Sequence, residues 1–422
     1  MPDDLVDIAV VGAGAAGLMT AIAAARCNSS KFKILLLDSR QKIGAKILIS
    51  GGTRCNVTNN QVTPKDYEGG PKHFVKHVLE AFTPGETIKF FEEIGVPLAL
   101  EPTGKYFPVT HSGKTVLEAL LREVERLEVT LKTGTPITEI NKKGEFFHLK
   151  GAKNSFEITA RRTILATGGL SYPETGSDGK GLEIAQSLGH SVVKTTPALT
   201  PLTSDDEDWR ILSGVTLNAR LSFFKNGKKE AERAGSFLFT HFGFSGPSAL
   251  DISRFVAAAN EKEPHEIKAS FLPSETEESF MKRFSECSDA HPGKLVKNFL
   301  TDEFLLPSRF VGVFLEKIGF DAETTLKKCP RASRGKLSHL LIHYPLEVTG
   351  VVGYKKAEVT AGGVDLKEIK ASTMESRIIP GLYFTGEILD IDGRIGGFNF
   401  QWAWSTGVIA GRSAVKSLEV SQ

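Results

Sequence analysis

Asp7-Ile8-Ala9-Val10-Val11-Gly12-Ala13-Gly14-Ala15-Ala16-Gly17 is the stretch that decides the fold. Its first five residues form a short, nearly continuous apolar run, the pattern of a parallel strand covered on both faces. Gly-x-Gly-x-x-Gly follows at once, and residues 18–26 continue as a small-residue helix. Residues 33–37 read as a second strand ending in Asp38, 21 residues after Gly17. A glycine pattern alone is a weak signal. With a strand before it, a helix after it and an acid at this spacing, it is the full dinucleotide-binding fingerprint. Gly12 turns the chain, and Gly14 lets backbone N–H groups reach a pyrophosphate. Ala15 and Ala16 open a helix whose N-terminus favours the anion, and Gly17 lets that helix pack against the strand. Asp38 is placed to accept hydrogen bonds from ribose hydroxyls.

The same region contains 18 uncharged residues, 8–25, enough to resemble a membrane span or a signal h-region. Its flank argues against both. Asp3, Asp4 and Asp7 stand where a signal peptide carries basic residues, and three glycines break the middle. Of 422 residues, 41% are hydrophobic and 24% charged, which excludes wholesale disorder. Lys and Arg total 52 against 50 for Asp and Glu, so the chain is not built wholly around nucleic acid. Four cysteines (Cys27, Cys55, Cys287, Cys329) are widely spaced. Zinc ribbons and a disulfide framework are not expected, and a reducing, cytoplasmic setting fits, with no membrane partner.

Residues 42–59 have no place in a simple NAD dehydrogenase, where the second strand leads straight into a helix. This glycine-broken loop brings Lys46, Gly52, Arg54, Cys55 and Asn56 along an extended cofactor. Two later strands end in glycine turns, 163–169 with Thr167 and Gly168, and 381–387 with Gly386 and Glu387. Both read as strands of one sheet whose C-terminal ends meet at a ligand crevice. Glu387 is a candidate partner for ribityl or ribose hydroxyls. After Gly396, Gly397 and Phe398, a long helix is expected from about Asn399 to 415. Its free N–H groups and partial positive charge suit the negative charge of a reduced flavin. The cofactor expected is therefore FAD, and no His or Cys demands a covalent link. No second Gly-x-Gly-x-x-Gly follows a strand, so either NAD(P)H visits only transiently as electron donor or another donor serves.

The segments KIGAKILISGGTRCNVTN (42–59), ATGGLSYPETGSDGKG (166–181), LFTHFGFSGPSAL (238–250), TAGGVDLKEI (360–369) and TMESRIIPGLYFTGEILDIDGRIGGFNFQWAWSTG (373–407) resemble the bacterial NAD(P)/FAD-dependent oxidoreductases. That family includes aminoacetone oxidases and BaiN/YhiN-type reductases. The resemblance implies an α/β fold, a glutathione-reductase-type FAD-binding Rossmann domain with an inserted β-rich domain and a small helical subdomain. The boundaries expected are 1–190 and 353–422 for the FAD domain, 191–275 and 341–352 for the β-rich substrate domain, and 276–340 for the helical insert. It also implies three substrate classes: enone C=C bonds in steroid-like molecules, uridine in ribosomal RNA, or amines oxidised by oxygen. One departure stands out. The family's triple glycine before Arg-Cys-Asn is Gly51-Gly52-Thr53 here, and a β-branched residue avoids positive φ. Either this position is extended, or the loop differs in this chain.

In the middle of the chain, 73–82 and 86–94 read as amphipathic helices, 191–224 and 236–240 as antiparallel strands, and 276–343 as helical. His73 and His77 lie four apart without a third ligand, so no metal site is expected. His241, ending a strand before Gly243 and Gly246, is a candidate proton donor or a loop-pinning residue. Ser245 lacks a base and reads as a turn residue. Cys55 is a candidate proton donor, but a lone cysteine in a packed loop is more often inert. Two basic runs, Lys327/Lys328/Arg331/Arg334/Lys336 and Lys225/Lys228/Lys229, are either solvated faces or contacts for RNA phosphates. The partner is accordingly a small-molecule substrate or ribosomal RNA.

Overall fold

The computed structural model describes residues 5–259 and 263–420; Asp3 and Asp4 of the acidic flank lie outside them. The chain divides into two compact units, Met1–Thr196 with Glu358–Gln422, and Pro197–Ala357. No helix among the described residues is long and apolar enough to cross a membrane.

The first unit is built on a mainly parallel sheet. Strand β1 (Leu5–Val11) sits between β2 (Ile34–Leu37) and β3 (Glu157–Leu165), parallel to both. Every residue of β2 is buried, as the continuous apolar run requires of a strand covered on both faces. Beyond β2 lies Thr130–Lys132. The first half of β3 pairs antiparallel with Phe146–Gly151, and its second half parallel with Leu382–Phe384. Register places Val11 opposite Leu37 and Leu165, and Leu165 opposite Phe384. The segments that follow, 12–17, 38, 166–169 and 385–387, therefore emerge along one edge although up to about 370 residues separate them in sequence.

Helix α1 (Ala15–Arg26) packs on the long helix Phe398–Glu419 almost backbone to backbone. A Cβ on Gly411 would lie 2.4 Å from the Thr20 carbonyl oxygen, and one on Gly407 2.8 Å from that of Ala16. Glycine on one helix against small residues on the other is what allows this approach. The long helix starts at Phe398, one residue earlier than expected, because Gly397 takes the left-handed N-cap conformation.

The second unit carries a seven-stranded antiparallel sheet in the order Tyr344–Leu346, His265–Ser270, Thr216–Lys225, Lys228–Thr240, Gly243–Ser245, Leu202–Thr203, Gly350–Val351. Four helices between 277 and 342 bury Phe280, Phe299, Phe310, Phe314 and Leu337 in one core with the sheet. Trp209 lies in that core, stacked on Phe310 and edge-on to Tyr344. The strand expected at 236–240 begins eight residues earlier, at Lys228. Asn226 and Gly227, at φ 50° and 75°, form a two-residue hairpin turn that pairs Lys225 with Lys228. Asn-Gly is a strong sequence signal for that turn.

Candidate functional site

The three glycines of the opening turn are held there for different reasons. Gly12 has φ +103°, and a Cβ on it would meet the Ala166 carbonyl oxygen at 2.4 Å. A Cβ on Gly17 would lie 1.7 Å from the Gly12 carbonyl oxygen. Around Gly14 there is nothing within 4 Å, so no protein contact demands glycine at that place. Open space at the N-terminus of a helix is what a pyrophosphate needs. No side chain caps α1 and no acid occupies its first turn, which leaves its leading N–H groups for an anion. Half-buried Asp38 accepts from the Ala13 N–H at 2.7 Å and the Arg40 N–H at 2.8 Å, which fixes its carboxylate beside the turn.

At the same sheet edge, Gly386 (φ +75°) leaves a Cβ only 2.7 Å from that of Ala16. The adjacent Glu387 carboxylate is heavily used. It accepts from Lys46 Nζ at 2.8 Å, Ser171 Oγ at 2.5 Å and the Thr360 N–H at 3.0 Å. Lys46 Nζ also reaches Ser171 Oγ at 2.7 Å. Two of the sequence candidates thus meet each other. Ser171 and Thr360, whose Oγ1 accepts from the Leu170 and Ser171 N–H groups, complete the cluster; both lie in the quoted segments 166–181 and 360–369 but were not singled out as site residues.

The loop after Lys46 runs through four residues at positive φ: Gly51, Gly52, Thr53 and Cys55. Thr53, at φ +70°, is left-handed and not extended. Its conformation follows from its neighbours, since its carbonyl accepts from the Gly113 N–H at 2.8 Å and its hydroxyl donates to Gly52 O at 2.6 Å. A Cβ on Gly52 would have nothing within 4 Å, as at Gly14. Arg54 is tied down: Nη1 reaches Glu101 Oε1 at 2.6 Å and the guanidinium lies 4.0 Å from the Phe107 ring centre. Gln401, inside the long helix, pins the segment that follows. It accepts from Thr58 Oγ1 at 2.6 Å and Thr87 Oγ1 at 3.0 Å, and donates to Phe82 O at 3.0 Å.

The long helix begins against this loop. Gly397, at φ +92°, would place a Cβ 2.7 Å from the Thr58 backbone and 2.9 Å from Asn56 Oδ1. No side chain caps the helix and its first turn holds no acid. Asn56 Oδ1 and Thr167 Oγ1 are buried without a hydrogen-bond partner. Such atoms cost free energy unless a bound group supplies the missing partner. Phe398 packs edge-on to Tyr67, whose hydroxyl donates to Phe398 O at 2.8 Å. Asn399, expected at the cofactor, instead closes the preceding turn: Oδ1 accepts from Gly393 N at 2.8 Å and Nδ2 donates to Gly393 O at 2.9 Å. Its amide is spent on the backbone.

An open dinucleotide turn, two uncapped helix ends and two unmet buried polar atoms fit a flavin dinucleotide. The family model of the HI0933-like protein Rossmann domain matches residues 6–413. The chain belongs to this family of flavoprotein oxidoreductases. It is similar to a 3-dehydro-bile acid delta(4,6)-reductase of Clostridium scindens, 33% identical over 411 residues, covering 97% of this chain and 99% of the relative. It is also similar to a ribosomal RNA dihydrouridine synthase of Escherichia coli, 34% identical over 404 residues, covering 95% and 96%. Among solved structures, a 3-ketosteroid-delta4-(5alpha)-dehydrogenase of Rhodococcus jostii shares the fold, with TM-score 0.50, 16% identity and coverage of 98% and 97%.

Within this family member, neither catalytic candidate belongs to the cluster around Glu387. The Cys55 side chain is fully buried, and burial pushes its thiol up to about 12. At physiological pH the thiol is therefore neutral and not a thiolate nucleophile. A thiol reagent at pH 8 is expected to modify the native protein at exposed Cys27 alone, since Cys55, Cys287 and Cys329 are buried, and at all four thiols after denaturation. A second fast-reacting thiol in the native state, mapped to Cys55 by peptide mass spectrometry, would contradict its burial. His241 lies in the second unit, exposed at the turn between Thr240 and Gly243, with its ring 4.9 Å from that of Phe242.

The basic runs divide. Lys225 pairs with Glu263 and Lys229 with Glu232. Arg334 donates to Cys329 O and lies over Phe284, and Lys336 donates to Ile318 O. Lys327, Lys328 and Arg331 are exposed, with no ion pair to any described residue.

Proposed function

We propose that the protein is an FAD-dependent reductase that passes a hydride from NAD(P)H to an electron-poor C=C or C=N bond. The observation that carries this reading is the single sheet edge on which Gly12–Gly17, Asp38, Thr167 and Gly386 assemble, together with the unmet Asn56 acceptor beside Gly397. Bound there, FAD supplies reversible two-electron chemistry, accepting a hydride and returning it to an acceptor carbon. The chain's own groups bind and orient. The α1 N-terminus and the space at Gly14 take the pyrophosphate, and Asp38 takes the ribose. Asn56 Oδ1 would accept an N–H of the bound group, and the uncapped N-terminus at Gly397 would favour negative charge on it. With no second dinucleotide turn in the sequence, the nicotinamide docks transiently.

The relatives' names support the acceptor class. A 3-dehydro-bile acid reductase and a dihydrouridine synthase share reduction of a C=C bond conjugated to a carbonyl, since dihydrouridine is uridine with its ring C=C bond reduced. A second reading, uridine in ribosomal RNA as the substrate, is favoured by the unpaired Lys327, Lys328 and Arg331. Three such cations contacting phosphates would make binding fall steeply with salt.

The test is anaerobic mixing of the yellow protein with NADH or NADPH, followed by air. Fast bleaching with slow reoxidation in air is the expected result. Enone steroids and ribosomal RNA fragments are then offered as acceptors, with RNA binding measured at low and high salt. No bleaching by either nucleotide, but bleaching by small amines with peroxide release in air, would replace the reductase with an oxidase.

A further inference from the structure

We propose that Glu277, His339 and His343 form a binding site for one divalent transition-metal ion of the zinc class, clamping two helices of the second unit together. The site shares no residue with the flavin cluster and does not depend on the reading of it. Its residues come from the N-terminus of the helix Glu277–Ala290 and the C-terminus of Arg331–Ile342. Thr276 caps the first helix by accepting from the Ser279 N–H, which fixes Glu277 as its first residue. His339 and His343 lie four residues apart, one in the last turn and one at the C-cap, so both rings project from the same face. The turn is held by the His343 N–H donating to His339 O at 2.7 Å.

The donor atoms already have the spacing an ion requires. Glu277 Oε1 is 3.0 Å from His339 Nδ1 and 3.5 Å from His343 Nε2, and all three atoms lie within 4.8 Å of one another. Ligand atoms bound tetrahedrally at zinc distances are about 3.4 Å apart. The imidazole ring centres are 5.2 Å apart, with the ring planes tilted by 48°. One hydrogen bond between helices would account for one of these contacts, but here a single carboxylate oxygen faces two imidazole nitrogens. Among the described residues no Lys or Arg pairs with Glu277, so no side-chain cation competes for that oxygen. This is also the one group of three such donors among the described residues.

Chemistry selects the ion. Two imidazoles with one carboxylate suit zinc, nickel, cobalt or copper, whereas magnesium and calcium prefer oxygen ligands. The three side chains are 45–59% exposed, which leaves the fourth position to water. Behind them the two helices share the core around Phe280, Phe284, Leu337 and Leu341, so an ion here would fasten their outer rim.

The test uses untagged, FAD-loaded full-length protein stripped with chelator and titrated with zinc chloride by calorimetry. One equivalent is expected to bind and to raise the melting temperature. His339→Ala and His343→Ala are each expected to weaken binding more than about tenfold, and the double variant to abolish it while keeping its FAD. Cobalt should give a visible d–d band in the wild type. Absence of stoichiometric zinc binding, equal affinity in the double variant, or equal binding of magnesium would overturn the proposal. If the double variant fails to fold, the wild-type cobalt spectrum decides: no band overturns it.

Discussion

Gly17→Ala is expected to leave the protein without FAD and to lower its melting temperature by about 4–8 °C. Two effects oppose each other. Alanine is the better helix former by about 1 kcal/mol, and Gly17 lies inside α1, so propensity alone predicts stabilisation. Against that, the new Cβ would lie 1.7 Å from the Gly12 carbonyl oxygen, and Gly12 is itself pressed on Ala166. Neither backbone can retreat without lifting α1 off β1, and overpacking of this kind costs about 3 kcal/mol. The steric term wins. Gly14→Ala is the control, because Gly14 has φ −80° and open space around it. As the apoprotein that variant should melt like the wild-type apoprotein, yet bind FAD far more weakly, because its methyl fills the approach to the helix N-terminus. Thermal melting with released-flavin absorbance checks both. A Gly17→Ala protein with one FAD per chain would refute the packing argument. Undiminished FAD in Gly14→Ala would remove the pyrophosphate from that space.

Glu387→Ala is expected to cost about 3 kcal/mol and to lower FAD affinity at least about tenfold. The carboxylate accepts three hydrogen bonds, and its removal strands Lys46 and Ser171 in a half-buried cluster. Lys46 and Glu387 are 25% and 20% exposed, which keeps the cost at the lower end for a broken buried pair. Lys46→Met is expected to cost about 1 kcal/mol, because Ser171 and Thr360 still serve the carboxylate. A double-mutant cycle by denaturant unfolding should give a coupling of about 1–2 kcal/mol between the two. Additive single effects would mean that the pair is incidental. The FAD loss follows because Glu387 adjoins Gly386, which runs so close to the dinucleotide turn that a Cβ on it would lie 2.7 Å from that of Ala16.

The opening turn was legible because its constraints are local. Gly12, Gly14, Gly17 and Asp38 lie within one strand–helix–strand unit, and their spacing is imposed by backbone geometry. The Asn226-Gly227 hairpin was equally local, and its dipeptide signal would have placed the strand start at Lys228. Thr53 shows where a residue preference yields, because the flanking backbone hydrogen bonds hold it left-handed against its β-branch. Asn399 shows how a polar residue beside a glycine pair can serve the turn instead of a ligand.

By itself the sequence determined the strand–turn–helix that can bind a dinucleotide, the two later strand ends with their glycines, and the long helix after Gly397. Each is a periodic or closely spaced pattern, and such patterns follow from backbone sterics over a few turns. Only the tertiary structure decided which polar groups meet: Lys46 with Glu387 across 341 residues, Thr58 with Gln401 across 343, and Glu277 with His339 across 62. Side-chain hydrogen bonds between distant segments leave no period in the chain. They depend on the strand register and helix approach that bring those segments together.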